Sequence, residues 1–290
     1  MRYGAGVFAR EDMEDIQVLK QHGFAFKKKF GQNFLTDTNL LRAIVQDAGV
    51  DENTTVVEIG TGAGALTRAL SERAKKVVSY EIDKSLAPVL SETLAGCENV
   101  EVVFRDFAKE NLPQLEKEIG AYVVVANLPY YVTTPLVMRF VEESAYCKGL
   151  TVMVQEEVAV RFCAKEGTAD YGAVTAAIKR RGESEITRKV SRNLFTPRPN
   201  VDSAVVKINF CSGGFAVESA GAYRETVRCA FLNRRKTLEN NLMGSFRMGR
   251  EAAKDVLASA EIPEGVRGET LSPEKLGRLS DILYRKGYSK

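Results

Sequence analysis

Asn127-Leu128-Pro129-Tyr130 closes the apolar run Val123–Ala126, where an ordinary buried strand would stop on Gly, Asp or Ser. An amide, a rigid ring and a phenol in that order suit methyl transfer to the exocyclic amino group of a base. The nitrogen of an adenine amine is a poor nucleophile, because its lone pair is delocalised into the ring. Two acceptors, the Asn127 side-chain oxygen and a backbone carbonyl held by the Leu128-Pro129 unit, can bind both N–H groups and draw the nitrogen toward tetrahedral geometry. Pro129 has no N–H, cannot extend a ladder, and fixes the carbonyl before it. Tyr130 can stack on a base taken out of its helix. No general base is needed beforehand, since the methylated amine sheds its proton readily. Positioning and electrostatics carry the rate.

A second group of residues is placed to hold the donor. Gly60-x-Gly62-x-x-Ala65 stands between a strand and a helix, where a backbone must approach a ligand closely. Glu81 follows 21 residues after Gly60, at the end of the next strand, where an open α/β sheet places a carboxylate on a ribose hydroxyl pair. Asp106 ends the third strand and suits an adenine amino group. Three such strand ends favour a nucleoside without phosphates, such as S-adenosylmethionine, and leave a dinucleotide such as NAD open. A nicotinamide enzyme would want a proton-relay His, Lys or Tyr-x-x-x-Lys near the crevice, and the sequence offers none there.

The elements that position these groups follow from periodicity. TTVVEI, KVVSYEI, VEVVFRD and YVVVAN are short β-branched runs separated by helical patterns, the mark of βαβ units and a parallel sheet. LVMRFVEESA predicts a helix, GLTVMVQ a strand, and EEVAVRFCAK and YGAVTAAIKRR helices on the same sheet. SEITRKV and SAVVKINF predict a hairpin closing the edge of a seven-strand open α/β sheet. Composition shifts at Cys211-Ser212-Gly213-Gly214, so the boundary is drawn with residues 1–211 as the sheet domain and 212–290 as a small helical domain. Residues 1–30 read as a helical, basic extension, and Phe231 to Leu242 as one helix.

Composition limits the remaining classes. The 290 residues are 44% apolar, enough for one large core and a smaller one. Five cysteines are scattered and odd in number, which argues against a disulfide framework or zinc site and for a reducing compartment. The one histidine, His22, reads as a surface residue. No apolar run reaches the roughly 20 residues of a membrane span, and the acidic N-terminus lacks a signal core, so a cytoplasmic protein without metal or membrane is expected. The net charge is only +3, yet the basic residues cluster at Lys27-Lys28-Lys29, between Lys179 and Arg198, and at Arg234-Arg235-Lys236. One such cluster is usually a solvated face, whereas three on one chain point to a polyanion.

Along nearly its whole length the sequence resembles the small-subunit (16S) ribosomal RNA adenine dimethyltransferases. The resemblance is carried by "KKKFGQNFLTD", "VEIGTGAGALT", "YEID", "RDF", "NLPYYVTTP", "QEEVAVRF", "YGAV", "FTPRPNVDSAVV" and "FLNRRKTLENNL". It implies a Rossmann-like seven-stranded S-adenosylmethionine-dependent methyltransferase sheet with a C-terminal all-helical domain. The implied reaction is dimethylation of two adjacent adenosines in a hairpin loop near the 3′ end of the small-subunit rRNA, on a small subunit or its precursor, by a monomer. Carried over by position, Asn33, Leu35, Gly60, Glu81, Asp106 and Asn127 would form the donor site, with Gln32 beside it. Asn127, Leu128, Pro129 and Tyr130 would hold the target adenine, and Phe195 would stack on its other face. Lys27, Lys28, Lys29, Arg234, Arg235 and Lys236 would meet phosphates. The chain departs from the pattern at Thr61 and Ala63, where the family has Pro and Leu, and in "EGTADYG", which lacks a proline and a basic residue. The neighbouring classes are the large-subunit rRNA adenine methylases of macrolide resistance and a ribosome-assembly factor without essential catalysis.

Overall fold

A computed structural model describes residues 15–27, 32–35 and 37–289; Lys28 and Lys29 lie outside them. In chain order the elements are α1 (residues 15–21), β1 (Phe34–Leu35), α2 (Thr38–Ala48), β2 (Thr55–Ile59), α3 (Ala65–Ser71), β3 (Lys76–Tyr80), α4 (Ala87–Thr93), β4 (Val100–Val103), α5 (Leu112–Ile119), β5 (Tyr122–Asn127), α6 (Thr133–Glu143) and β6 (Cys147–Gln155). There follow α7 (Glu156–Phe162), α8 (Ala173–Arg181), β7 (Glu183–Val190), β8 (Phe195–Thr196), β9 (Ser203–Asn209), α9 (Ala220–Leu232), α10 (Leu238–Phe246), α11 (Arg250–Ser259) and α12 (Pro273–Arg285).

The packing of the chain divides these into two compact units. One runs up to Ala159 and takes in Glu185–Ile208; the other is Val160–Ser184 with the chain from Asn209 onward. The boundary expected at 211/212 therefore misses residues 160–184. The α8 pattern identifies an amphipathic helix without naming its core, and Ala176 of α8 belongs to the buried cluster of Tyr223, Leu238, Leu276 and Leu279. The Tyr223 hydroxyl donates to the Ala176 carbonyl at 3.0 Å, and the Tyr171 hydroxyl to that of Leu271 at 2.9 Å.

The first unit carries a seven-stranded sheet of order β4-β3-β2-β5-β6-β9-β7. The β2–β3, β3–β4, β2–β5 and β5–β6 pairs are parallel, and β7 and β9 are neighbours at the edge as the sequence predicts. Val56, Val57, Val77, Val124 and Val125 are fully or almost fully buried, as strands covered on both faces require. From β2 the chain runs outward to β3 and β4, then crosses back to β5 on the other side of β2, so the strand order reverses there. The crevice at the carboxyl ends of β2 and β5 is the switch point where such sheets bind ligands. A feature beyond the sequence patterns is the antiparallel ladder of β1 with β8, in which Phe34 opposes Thr196 and Leu35 opposes Phe195.

In the helical unit, Phe231 to Leu242 is not one helix. α9 ends at Leu232, and α10 restarts behind Thr237, whose hydroxyl accepts the Asn240 N–H at 3.4 Å. The basic triplet 234–236 thus lies in the turn between two helices.

Candidate active site

The switch-point crevice is a cleft of about 1230 Å³, open solvent included, lined by the tips of β2, β3 and β5 and the β1 segment. Gly60 leaves β2 at φ +89° and Gly62 follows at +58°, both in the left-handed region that favours glycine. A Cβ on Gly60 would stand 3.6 Å from the Asn127 carbonyl oxygen, so the two strand tips are side by side.

Glu81 sits just past β3, only 5% exposed. Its Oε2 accepts the Gly62 N–H at 2.9 Å and its Oε1 the Asp83 N–H at 2.8 Å. Burial pushes the carboxyl above the usual carboxylate range, and those two N–H groups hold it back in part. Each oxygen keeps a lone pair for a hydroxyl donor. Asp106 lies three residues beyond the end of β4, in a turn, where Oδ1 caps the Ala108 N–H at 3.0 Å. Ile82 lines the cleft as an apolar face, 44% exposed.

The β1 segment reaches the same crevice. The Asn33 carbonyl accepts the Asn127 Nδ2–H at 3.1 Å, which orients the amide and leaves Oδ1 as the acceptor not used in that bond. Leu35 lines the cleft and is buried. Gln32 lines it too, but its side chain fastens the chain: Nε2 donates to Asp83 Oδ2 at 3.1 Å and Oε1 accepts the Lys27 N–H at 2.9 Å. Lys27 Nζ meets Asp83 Oδ1 at 2.7 Å and Ser85 Oγ at 2.6 Å. Burial alone would raise the Asp83 carboxyl, yet these partners hold it below its ordinary value.

The Asn127–Tyr130 turn is rigid. Leu128 is buried and donates its N–H to the Met153 carbonyl at 3.3 Å. The Pro129 carbonyl accepts the Val132 N–H at 3.1 Å and the Thr133 hydroxyl at 3.2 Å. The Leu128 carbonyl is the one that the Pro129 ring orients, and it is the candidate second acceptor. The Tyr130 hydroxyl meets Ser203 Oγ at 2.9 Å.

Phe195 departs from its expected place. Only 4% exposed, it packs in the cluster of Leu35, Leu41, Met153 and Val205 and does not line the cleft, because the β1–β8 ladder draws it inward. The exposed aromatic at the rim is instead Tyr131, 60% exposed, for which the sequence pattern assigns no role. Also unforeseen is Asp15 of α1, which lines the cleft and binds Arg68 through two hydrogen bonds of 2.7 and 2.9 Å.

A model of the ribosomal RNA adenine dimethylase family matches residues 23–280. The chain belongs to that family. The match closes the dinucleotide alternative, and the family's enzymes are adenine dimethyltransferases. A ribosomal RNA small subunit methyltransferase A of Geobacillus thermodenitrificans is 45% identical over 92% of this chain and 94% of its own. One from Enterococcus faecalis is 44% identical over 92% and 93%. Among solved structures, a dimethyladenosine transferase from Plasmodium falciparum aligns with TM-score 0.75 at 25% identity, over 88% of this chain and 99% of that one. The 23S rRNA methyltransferase ErmE aligns with TM-score 0.67 at 30% identity, over 87% and 100%.

The basic residues of this dimethylase are not equivalent. Arg234 donates to the Ala169 carbonyl at 2.9 Å and to the Tyr171 carbonyl, so its guanidinium fastens the helical unit. Arg235 and Lys236 are exposed. Among the described residues no group of three or more His, Cys, Asp or Glu converges on a metal position, and no helix is long and apolar enough to cross a membrane.

Proposed function

We propose that this chain dimethylates the N6 amino groups of two adjacent adenosines in the 3′-terminal hairpin loop of small-subunit rRNA, on the small subunit or its precursor. It does so in the cytoplasm, as a monomer, with S-adenosylmethionine as donor. The observation that carries this is the Asn127 amide, turned by the Asn33 carbonyl so that Oδ1 faces away from that bond as an acceptor.

The residues present fit the donor. Glu81 has lone pairs for ribose hydroxyls, Asp106 keeps an acceptor for an adenine amine, Ile82 offers an apolar face, and the glycine turn presents its backbone to the cleft at positive φ. S-adenosylmethionine, when bound, supplies an electrophilic methyl group. The chain does the rest. Tyr130 stacks on the target base, Asn127 Oδ1 and the Leu128 carbonyl accept its two N6–H bonds, and the nitrogen lone pair is left to point at the donor. After the first methyl one N–H remains, so a single acceptor positions the second transfer. Arg235 and Lys236 are the phosphate contacts, and phosphate contacts position while the pocket reads the base.

Higher identity to the small-subunit enzymes than to the 23S methyltransferase supports this substrate over the large subunit. The test is transfer of labelled methyl groups to small and, separately, large subunits from a strain lacking the modification, with nuclease digestion. Dimethyladenosine in the 3′-terminal hairpin is expected; label only in large-subunit rRNA would refute the assignment.

A further inference from the structure

We propose that Ser203 is a positioning residue for the target base: its hydroxyl holds the Tyr130 phenol and so fixes the plane on which the adenine stacks. This rests on Tyr130 being the stacking platform. The bond is 2.9 Å long, and Ser203 is 1% exposed at the first position of β9.

Ser203 is the fixed end of the pair. Its strand lies between β6 and β7. One residue earlier, the Asp202 carbonyl accepts the Glu156 N–H at 3.1 Å, and its carboxylate accepts the Arg192 N–H at 2.9 Å. Tyr130 is the adjustable end. It stands past the last residue of β5, in a turn pinned by the Leu128 N–H and the Pro129 carbonyl, bonds that hold the backbone and leave the ring itself to be fixed at its hydroxyl. The second side-chain torsion of tyrosine has a broad well. A ring held only at its Cβ swings within that well, whereas one held at both ends has a set plane. Burial pushes the phenol above its ordinary pKa; the Ser203 hydroxyl pulls against this and the nearby Asp202 charge adds to it, with the net shift upward, so the hydroxyl stays protonated and able to pair with Ser203. The sequence around it, "FTPRPNVDSAVV", is thereby joined to the chemistry through Ser203 while its Phe195 packs in the core.

The experiment uses the full chain, unmethylated small subunits, and four variants: Ser203→Ala, Ser203→Thr, Tyr130→Phe and the Ser203→Ala/Tyr130→Phe double. A net hydrogen bond of this kind corresponds to roughly a 2- to 10-fold change. Ser203→Ala and Tyr130→Phe should each slow single-turnover methyl transfer by about that factor. The double should be no slower than the slower single, and Ser203→Thr should restore most of the rate. Donor affinity by calorimetry should not move. Independently of turnover, a hairpin RNA with 2-aminopurine at the target position should be quenched on wild type and lose the quench on Ser203→Ala while still binding. Wild-type rate in Ser203→Ala, multiplicative effects in the double, or a parallel loss of donor affinity would overturn the assignment. Wild type that quenches the probe but transfers no methyl would sink the proposed substrate and keep the role of Ser203. Wild type that does neither would sink both.

Discussion

Replacing Glu58 by glutamine isolates the polar network beneath the glycine turn. Glu58 is fully buried on β2; Oε2 accepts the Thr67 and Ser79 hydroxyls at 2.6 Å each, and Oε1 has no partner. Ser79 in turn meets the Thr61 hydroxyl at 2.6 Å, inside the glycine turn. Burial pushes the Glu58 carboxyl up to about 8 from 4.5, against the pull of the two hydroxyls. The folded chain therefore keeps a proton that the unfolded chain releases above pH 4.5. Stability from this group is full below pH 4.5, falls between 4.5 and about 8, and is flat beyond. At 1.36 kcal/mol per pH unit the whole fall is about 5 kcal/mol at most. Glu58→Gln has the same shape and no charge to release, so it should gain on wild type by about 2–5 kcal/mol between pH 5 and pH 9. Urea unfolding followed by far-UV circular dichroism suits a chain without tryptophan. Parallel stability–pH curves for the two proteins would show that Glu58 is ionised when folded and that the reasoning is wrong.

Two more outcomes follow from the geometry. Glu81→Gln should weaken S-adenosylmethionine binding by about 10- to 100-fold, since it removes charged acceptors worth about 1.5–3 kcal/mol per bond. Burial raises the Glu81 carboxyl, so if, as proposed, its ionised form accepts the ribose hydroxyls, wild-type donor binding should fall as pH drops through a value above 4.5, and calorimetry of the variant should lack that limb. Arg234→Ala should lower the thermal midpoint, by about 1–3 kcal/mol of stability. Arg235→Ala and Lys236→Ala should leave it unchanged and instead weaken small-subunit binding, each with a salt slope smaller by about one, as one phosphate is no longer neutralised.

The sheet and the crevice at its strand tips were legible because strand tips announce themselves. β-branched runs ending on Gly60, Glu81 and Asn127 fix both the element and the edge it points to. What stayed hidden was carried by pairing across distance or by backbone atoms. β1 and β8 are two residues each, too short for any periodicity, yet their ladder buries Phe195 and brings the Asn33 carbonyl to Asn127. No side-chain pattern reports a carbonyl. Charge likewise reports a guanidinium without its partners, so Arg234 is indistinguishable from its neighbours until its two carbonyls are located. The break before α10 does have a signal: Thr237 just before Leu238 is an N-cap residue type, and the apolar spacing across it mimics continuity.

The proposed reaction turns most directly on Asn127. The measurement is single-turnover methyl transfer to unmethylated small subunits by wild type and Asn127→Ala, with binding of S-adenosylmethionine followed in parallel. Loss of an acceptor that gains strength as the nitrogen becomes cationic predicts a rate lower by about 10²- to 10³-fold, with donor affinity changed only a few-fold. A variant that binds donor and subunit and still transfers methyl at the wild-type rate would contradict the account.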